Sequence, residues 1–356
     1  MASLPLAPDS PVGVLVVDDS IVARAVIARI VDSSDRFMVA GAVGTVARAL
    51  EFLRRATVDV ILLDINMPEV DGLTALPDLL VAGRGARIVV VSSAAGDGAA
   101  ATVQALALGA ADTLVKPSAA AMSTQFAAQL LDRLDRLTTR AVPPPPPPPV
   151  PVIQRPPAPV LSSGDAWDIV AIGASTGGIH ALGHLLRQLP AAFRAPILVT
   201  QHLPGSFMPY FAAQLALLSG RPCEVAADRM RVRPGRIVVA PGDAHIRLVS
   251  IGEGEAAIRL SHDPAASGCL PSVDPMFASL AEVFGDRALA VVLSGMGRDG
   301  AEGAARVAAA GGTVIVQDQS SSVIWGMPGA VAAAGHADPV LPPDALGRLV
   351  ASGRRP

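Results

Sequence analysis

Seven consecutive prolines at positions 143 to 149, with four more by 159, constrain this chain more than any other feature. Proline lacks a backbone N–H and fixes φ, so the stretch cannot enter a helix interior or a central strand. It favours an extended rod of about 3.1 Å per residue. The 356 residues therefore divide into two parts, each long enough for a full core. Residues 141–163 read as a semi-rigid spacer between a domain over 12–140 and a second over 164–356, with 1–11 as a disordered leader. A docking site for a proline-recognition module is the other use of such a run.

Both parts show the same alternation. Before the spacer, apolar runs at Gly13–Val17, Phe37–Ala42, Asp59–Leu63, Arg87–Val91 and Thr113–Val115 are separated by amphipathic helical patterns. After it, runs recur at Asp168–Ile172, Pro196–Thr200, Arg236–Ala240, Leu289–Leu293 and Thr313–Val316. This order predicts an α/β protein with two doubly wound parallel sheets. Two short runs between Asp243 and Leu260, around Gly252-Glu253-Gly254, predict a β-hairpin inserted in the second domain.

Composition excludes several classes. A net charge of −3 gives no global basic footprint for nucleic acid. Apolar runs are broken well before about 18 residues, which predicts no membrane insertion. The two cysteines, Cys223 and Cys269, in a chain with no recognisable signal peptide, read as reduced thiols in a cytoplasmic protein, not as a disulfide or metal framework.

Chemistry gathers at predicted strand ends. Asp18 and Asp19 close the first strand and Asp64 the third. In an open parallel sheet ligands collect outside the carboxyl ends of strands near a switch point, so these acids can converge. Three facing carboxylates repel unless a hard cation neutralises them, and Mg²⁺ does so while leaving room for phosphate. Ser92 and Lys116, at the ends of strands four and five, supply a hydroxyl and an ammonium for phosphoryl oxygens; Lys116 can equally hold the fold by pairing with a pocket carboxylate. With Asp64-Ile65-Asn66-Met67-Pro68, Asp71-Gly72 and Lys116-Pro117, residues 12 to 140 resemble a response-regulator receiver domain, which implies a flavodoxin-like fold. The resemblance implies phosphorylation of Asp64 by a histidine kinase, with Mg²⁺ placed by Asp18, Asp19, Asp64 and the Asn66 carbonyl. Thr113 stands where receivers often carry an aromatic ring, so a ring-reorientation switch is not expected.

The second constellation starts at Gly173-Ala174-Ser175-Thr176-Gly177, between a predicted strand and a helix. Glycines there permit a tight turn that exposes the Ser175 hydroxyl and aims N–H groups at a developing oxyanion. A dinucleotide loop shares this layout, but Ser175 replaces its second glycine and the next strand ends in Gln201-His202, not in a ribose-binding acid. His202 as base and Asp299 as orienting acid follow other strands of the same sheet. The N–H groups of Thr176 and Met296 are the expected oxyanion donors. His180 and His184, four apart on a helix, read as surface residues, with His180 in reserve as the base; His245, His262 and His336 receive no role.

Residues 165 to 350 resemble the catalytic domain of the chemotaxis protein-glutamate methylesterases, the CheB family. The resemblance rests on Gly173–Gly178, Gln201–Phe207, Ala240–His245, Pro271–Asp274, Leu293–Gly300 and Gly326-Met327-Pro328. It implies a Rossmann-like hydrolytic domain that cleaves glutamyl methyl esters on chemoreceptor cytoplasmic helices, and in some members deamidates receptor glutamines. No cofactor is expected at the esterase site. A chemotaxis histidine kinase is the expected phosphodonor, and the unphosphorylated receiver is expected to cover the Ser175 edge. The chain departs from the family in its long spacer, in Gly329 where arginine often follows Gly-Met-Pro, and in Met208 where threonine is common. The alternatives are a phosphorylation-gated esterase or amidase, or a binding regulator, acting on a non-chemotactic signalling protein.

Overall fold

A computed structural model describes residues 11–68, 70–93, 96–116, 124–139, 167–252 and 254–353, without the side chains of residues 93, 96 and 97. The expected leader through residue 10, the polyproline spacer and Pro117 lie outside the described residues. The chain forms two compact units divided after residue 140.

The first unit runs β1 (Val12–Val17), α1 (Ile21–Asp32), β2 (Phe37–Val43), α2 (Val46–Arg55), β3 (Val60–Asp64), α3 (Gly72–Ala82), β4 (Arg87–Ser93), α4 (Gly96–Leu108), β5 (Asp112–Lys116) and α5 (Thr124–Thr138). Its sheet has the order β2-β1-β3-β4-β5, and every pairing is parallel. The central strand β3 is buried at all five positions, as expected of a parallel strand covered on both faces. Side-chain oxygens of Ser20, Thr45 and Asp71 accept backbone N–H groups in the first turns of α1, α2 and α3 and so fix where each helix starts.

The second unit runs β6 (Ile169–Ala174), α6 (Gly178–Arg187), β7 (Ile197–Gln201), α7 (Met208–Ser219), β8 (Cys223–Val225), β9 (Ile237–Val239), β10 (His245–Gly252), β11 (Glu255–Ser261), α8 (Val273–Phe284), β12 (Ala288–Val292), α9 (Ala301–Ala309), β13 (Thr313–Gln317), α10 (Met327–Ala333), β14 (Val340–Leu341) and α11 (Pro343–Ser352). Seven parallel strands follow the order β14-β13-β12-β6-β7-β9-β8. Strand order therefore reverses at β6, which opens a crevice beyond its carboxyl end between β7 and β12. The edge strands β8 and β14 were not expected from the sequence. They are three and two residues long, too short to show a period.

The expected hairpin is present as the antiparallel pair β10·β11. It packs on α8: Ile246, Leu248 and Ile258 share a buried cluster with Met276, Phe277 and Leu280, and Leu248 N–H donates to Ser279 Oγ at 2.9 Å. No described helix is long and apolar enough to cross a membrane.

Candidate functional site

In the first unit, Asp18 follows β1, Asp64 is the last residue of β3, and Lys116 is the last of β5. Lys116 Nζ donates to Asp18 Oδ2 at 2.6 Å and to Asp64 Oδ2 at 2.8 Å. Burial raises the Asp64 pKa despite the opposing pull of Lys116. For Lys116 burial acts against the charge, yet its two carboxylate partners outweigh it and hold the ammonium above its ordinary value. Oxygens of Asp18, Asp19 and Asp64 lie within 4.8 Å of one another, a donor set that fits a small hard cation such as Mg²⁺. Backbone N–H groups of Ser20 and Asn66 fix the other oxygens of Asp18 and Asp64. The buried Ser92 hydroxyl is hydrogen-bonded to Thr102 Oγ1 of α4 at 2.6 Å, so the expected phosphoryl-binding hydroxyl is engaged with a helix in this state.

In the second unit, the last register pair of β6 and β7 is Ala174↔Gln201, so Ser175 and His202 each follow it directly at the sheet edge. His202 N–H donates to Ala174 O at 3.1 Å, and Gln201 Nε2 donates to Ser175 O at 2.9 Å, fixing the two loops together. His202 Nε2 is 2.8 Å from Asp299 Oδ2. With Nε2–H facing the carboxylate, the lone pair of neutral His202 sits on Nδ1. Among the described residues the Ser175 hydroxyl has no hydrogen bond. Neither do the N–H groups of Thr176 and Met296 meet a described acceptor, so both remain available to an oxyanion.

Asp299 is 1% exposed yet fully partnered. Besides His202 it accepts from Ser272 Oγ at 2.6 Å, Val273 N at 2.8 Å and Asp274 N at 3.4 Å. Burial works against its charge, but His202, Ser272 and Val273 overcome that and hold the carboxyl well below the ordinary range. His202 is affected reciprocally. Burial disfavours the imidazolium, but hydrogen bonds to Asp299 and Cys269 dominate and raise its pKa to about 9.

Sequence reasoning missed the group that aims Asp299. Ser272 N–H donates to His245 Nδ1 at 2.8 Å, and His245 Nε2–H donates to Asp263 O at 2.9 Å. His245, given no role above, is a buried neutral imidazole that ties the start of the hairpin to the Asp299 anchor. The only sequence signal was the Pro271-Ser272-Val273-Asp274 segment, which assigned no partner. His180 lies edge-on to His184 with ring centroids 4.6 Å apart, and His184 faces the Asp344 carboxylate at 3.3 Å. His202, not His180, is the imidazole on Asp299.

Two glycines shape this edge. A Cβ at Gly295 would stand 2.9 Å from Ser175 Cβ and collide with Met327 Sδ. Gly295→Ala is expected to displace Ser175, lowering kcat about 100-fold with a smaller change in KM, as for a misplacement of about 1 Å; steady-state kinetics on the folded variant check this. At Gly329 a Cβ would stand 2.9 Å from the Trp325 ring, so the indole packs on the Gly329 backbone and a larger residue at 329 would have to displace it. Met208, the other departure, is buried at the start of α7.

A phosphoacceptor-type acidic pocket on one sheet and a serine, histidine and aspartate gathered at the switch point of another define an α/β hydrolytic domain preceded by a receiver unit. Family models agree: a response regulator receiver domain matches residues 14–126 and a CheB methylesterase matches residues 170–350. The chain is 42% identical over 346 residues to the protein-glutamate methylesterase/protein-glutamine glutaminase 2 of Caulobacter vibrioides, covering 96% of this chain and 99% of that protein. It is 38% identical over 367 residues to the corresponding protein 1 of Paramagnetospirillum magneticum, covering 95% and 96%. The crystal structure of the Thermotoga maritima CheB methylesterase catalytic domain is similar with a TM-score of 0.50 and 38% identity, covering 52% of this chain and 97% of that one. The chain belongs to the CheB methylesterase family.

Proposed function

We propose that this protein hydrolyses glutamyl methyl esters on the cytoplasmic helices of chemoreceptors, releasing methanol, under control of Asp64 phosphorylation. The observation that carries the reading is the His202–Asp299 pair, 2.8 Å apart, at the same sheet edge as Ser175. Ser175 attacks the ester carbonyl as His202 Nδ1 takes its proton. Asp299 stabilises the imidazolium, and the N–H groups of Thr176 and Met296 receive the oxyanion. His202 then returns the proton to the departing methoxide, and water repeats the sequence to free the glutamate. The names of the relatives, which include protein-glutamine glutaminase, support receptor glutamine amides as a second substrate.

At the receiver, Asp64 accepts the phosphoryl group from a chemotaxis histidine kinase, and Lys116 and Ser92 hold its oxygens. Asp18, Asp19, Asp64 and the Asn66 carbonyl would hold Mg²⁺, which neutralises charge on the incoming phosphate when bound. The match to the receiver and CheB methylesterase families supports a cytoplasmic setting.

Methanol release from a carboxyl-methylated receptor fragment, with and without a small-molecule phosphodonor and Mg²⁺, tests the reading. Release that rises with phosphodonor in the wild type, and not in Asp64→Asn, is the expected result. No release from folded protein in either condition would overturn the chemoreceptor substrate.

The pH dependence carries a second expectation. The base must be neutral, and a His202 pKa of about 9 leaves most of it protonated at pH 7. The kcat/KM, corrected for spontaneous hydrolysis, should therefore climb about 50-fold from pH 7 to pH 9. A plateau already reached at pH 7 would show that the imidazolium is not held by Asp299 in the working enzyme.

A further inference from the structure

The donor set around His202 has a member that the esterase scheme does not use. Cys269, in the loop before α8, is only partly buried, and its Sγ, one His202 ring nitrogen and one Asp299 oxygen all lie within 4.8 Å of one another. We propose that His202, Cys269 and Asp299 form an inhibitory Zn²⁺ site, in which the cation replaces the proton shared by His202 and Asp299 and switches the hydrolase off.

The chemistry of the donors selects the metal. Thiolate, imidazole and carboxylate together suit Zn²⁺, whereas the all-oxygen cluster at Asp18, Asp19 and Asp64 suits Mg²⁺. One chain thus separates two divalent cations by ligand softness. Distances permit it as well. Tetrahedral Zn²⁺ with bonds of about 2.0–2.3 Å sets its ligands about 3.3–3.6 Å apart. The His202–Asp299 separation of 2.8 Å needs to widen by about 0.5 Å, and the thiol, already within 4.8 Å of both, to close by no more than about 1.5 Å, the scale of a side-chain rotation.

The surroundings are those of a metal site. Asp299 is already oriented by Ser272 Oγ and by the N–H groups of Val273 and Asp274, as outer-shell donors orient a ligating carboxylate. His202 retains 18% side-chain exposure, which leaves a path for the ion. Binding displaces one proton from the thiol and one from the imidazolium to solvent, and water completes the fourth position. Inhibition follows from the ring itself. A metal on one nitrogen leaves the other protonated, so no lone pair remains to receive the Ser175 proton. This consequence rests on the esterase reading, while metal binding does not.

Co²⁺ titration of the full chain in the presence of saturating Mg²⁺ tests binding without reference to turnover. A thiolate-to-cobalt charge-transfer band saturating at one equivalent is expected, displaced by Zn²⁺. The band should vanish in Cys269→Ser and persist in Cys223→Ser, since Cys223 lies in β8 and burial pushes its thiol up to about 12. In parallel, Zn²⁺ should lower methanol release at least about tenfold in the wild type and be reversed by a chelator, whereas Cys269→Ser should lose that response relative to its own metal-free rate. Absence of the band in folded wild type, or its persistence in Cys269→Ser, would overturn the site. Equal Zn²⁺ inhibition in both proteins would also overturn it. If no variant releases methanol, the esterase reading fails, and the cobalt spectrum still decides metal binding.

Discussion

Ser175→Ala is expected to reduce methanol release by roughly 10⁴ to 10⁶-fold while leaving the fold in place. The size of the loss follows from the role: without the hydroxyl no acyl-enzyme forms, and only oxyanion donors and binding remain. Retention of the fold follows from the contacts. Ser175 is held by its backbone, through N–H to Ser294 O at 3.0 Å and through its carbonyl to Gln201 Nε2 and Gly178 N, and its side chain adds no hydrogen bond among the described residues. Circular dichroism and thermal unfolding of the variant should match the wild type. Turnover within tenfold of the wild type would remove Ser175 from the mechanism.

Asp299→Asn is expected to lower kcat about 10⁴-fold, by a different route. The carboxylate accepts from four donors at once, and an amide cannot. Its NH₂ would face at least one of the Ser272, Val273 or His202 donors, each bond to a charged group being worth about 1.5–3 kcal/mol. To escape, His202 turns the protonated nitrogen away from position 299 and presents the wrong tautomer to Ser175. The pH profile separates this from simple unfolding. Once Asp299 no longer supports the imidazolium, only Cys269 opposes the lowering of the His202 pKa by burial, so the residual activity should reach its plateau at a lower pH, without the full rise towards pH 9 seen in the wild type. A variant that keeps that rise would show that another group sets it.

Much of this was legible along the chain. Fully buried parallel strands are near-continuous apolar runs, and β3, β6 and β12 stand out for that reason. Ligand-binding crevices of such sheets lie at the carboxyl ends of strands, so the convergence of Asp64 with Lys116, and of the Ser175 and His202 loops at one edge, could be anticipated from their positions alone. The hairpin was visible from its turn, but its purpose was not. Only in three dimensions does His245 at its start meet Ser272, and Ser272 meet Asp299. Cys269 read as an ordinary reduced thiol because nothing local distinguishes it; its nearness to His202 and Asp299 arises only in the folded chain.

The sequence by itself determined the two α/β units, their strand positions and the residue types at each edge, because apolar periodicity and glycine turns are local properties of the chain. The tertiary structure alone decided the strand order, the edge strands β8 and β14, the nitrogen by which His202 meets Asp299, and the outer partners that hold that carboxylate charged while buried. Those depend on contacts between residues from 14 to 119 positions apart, which leave no periodic trace in the order of amino acids.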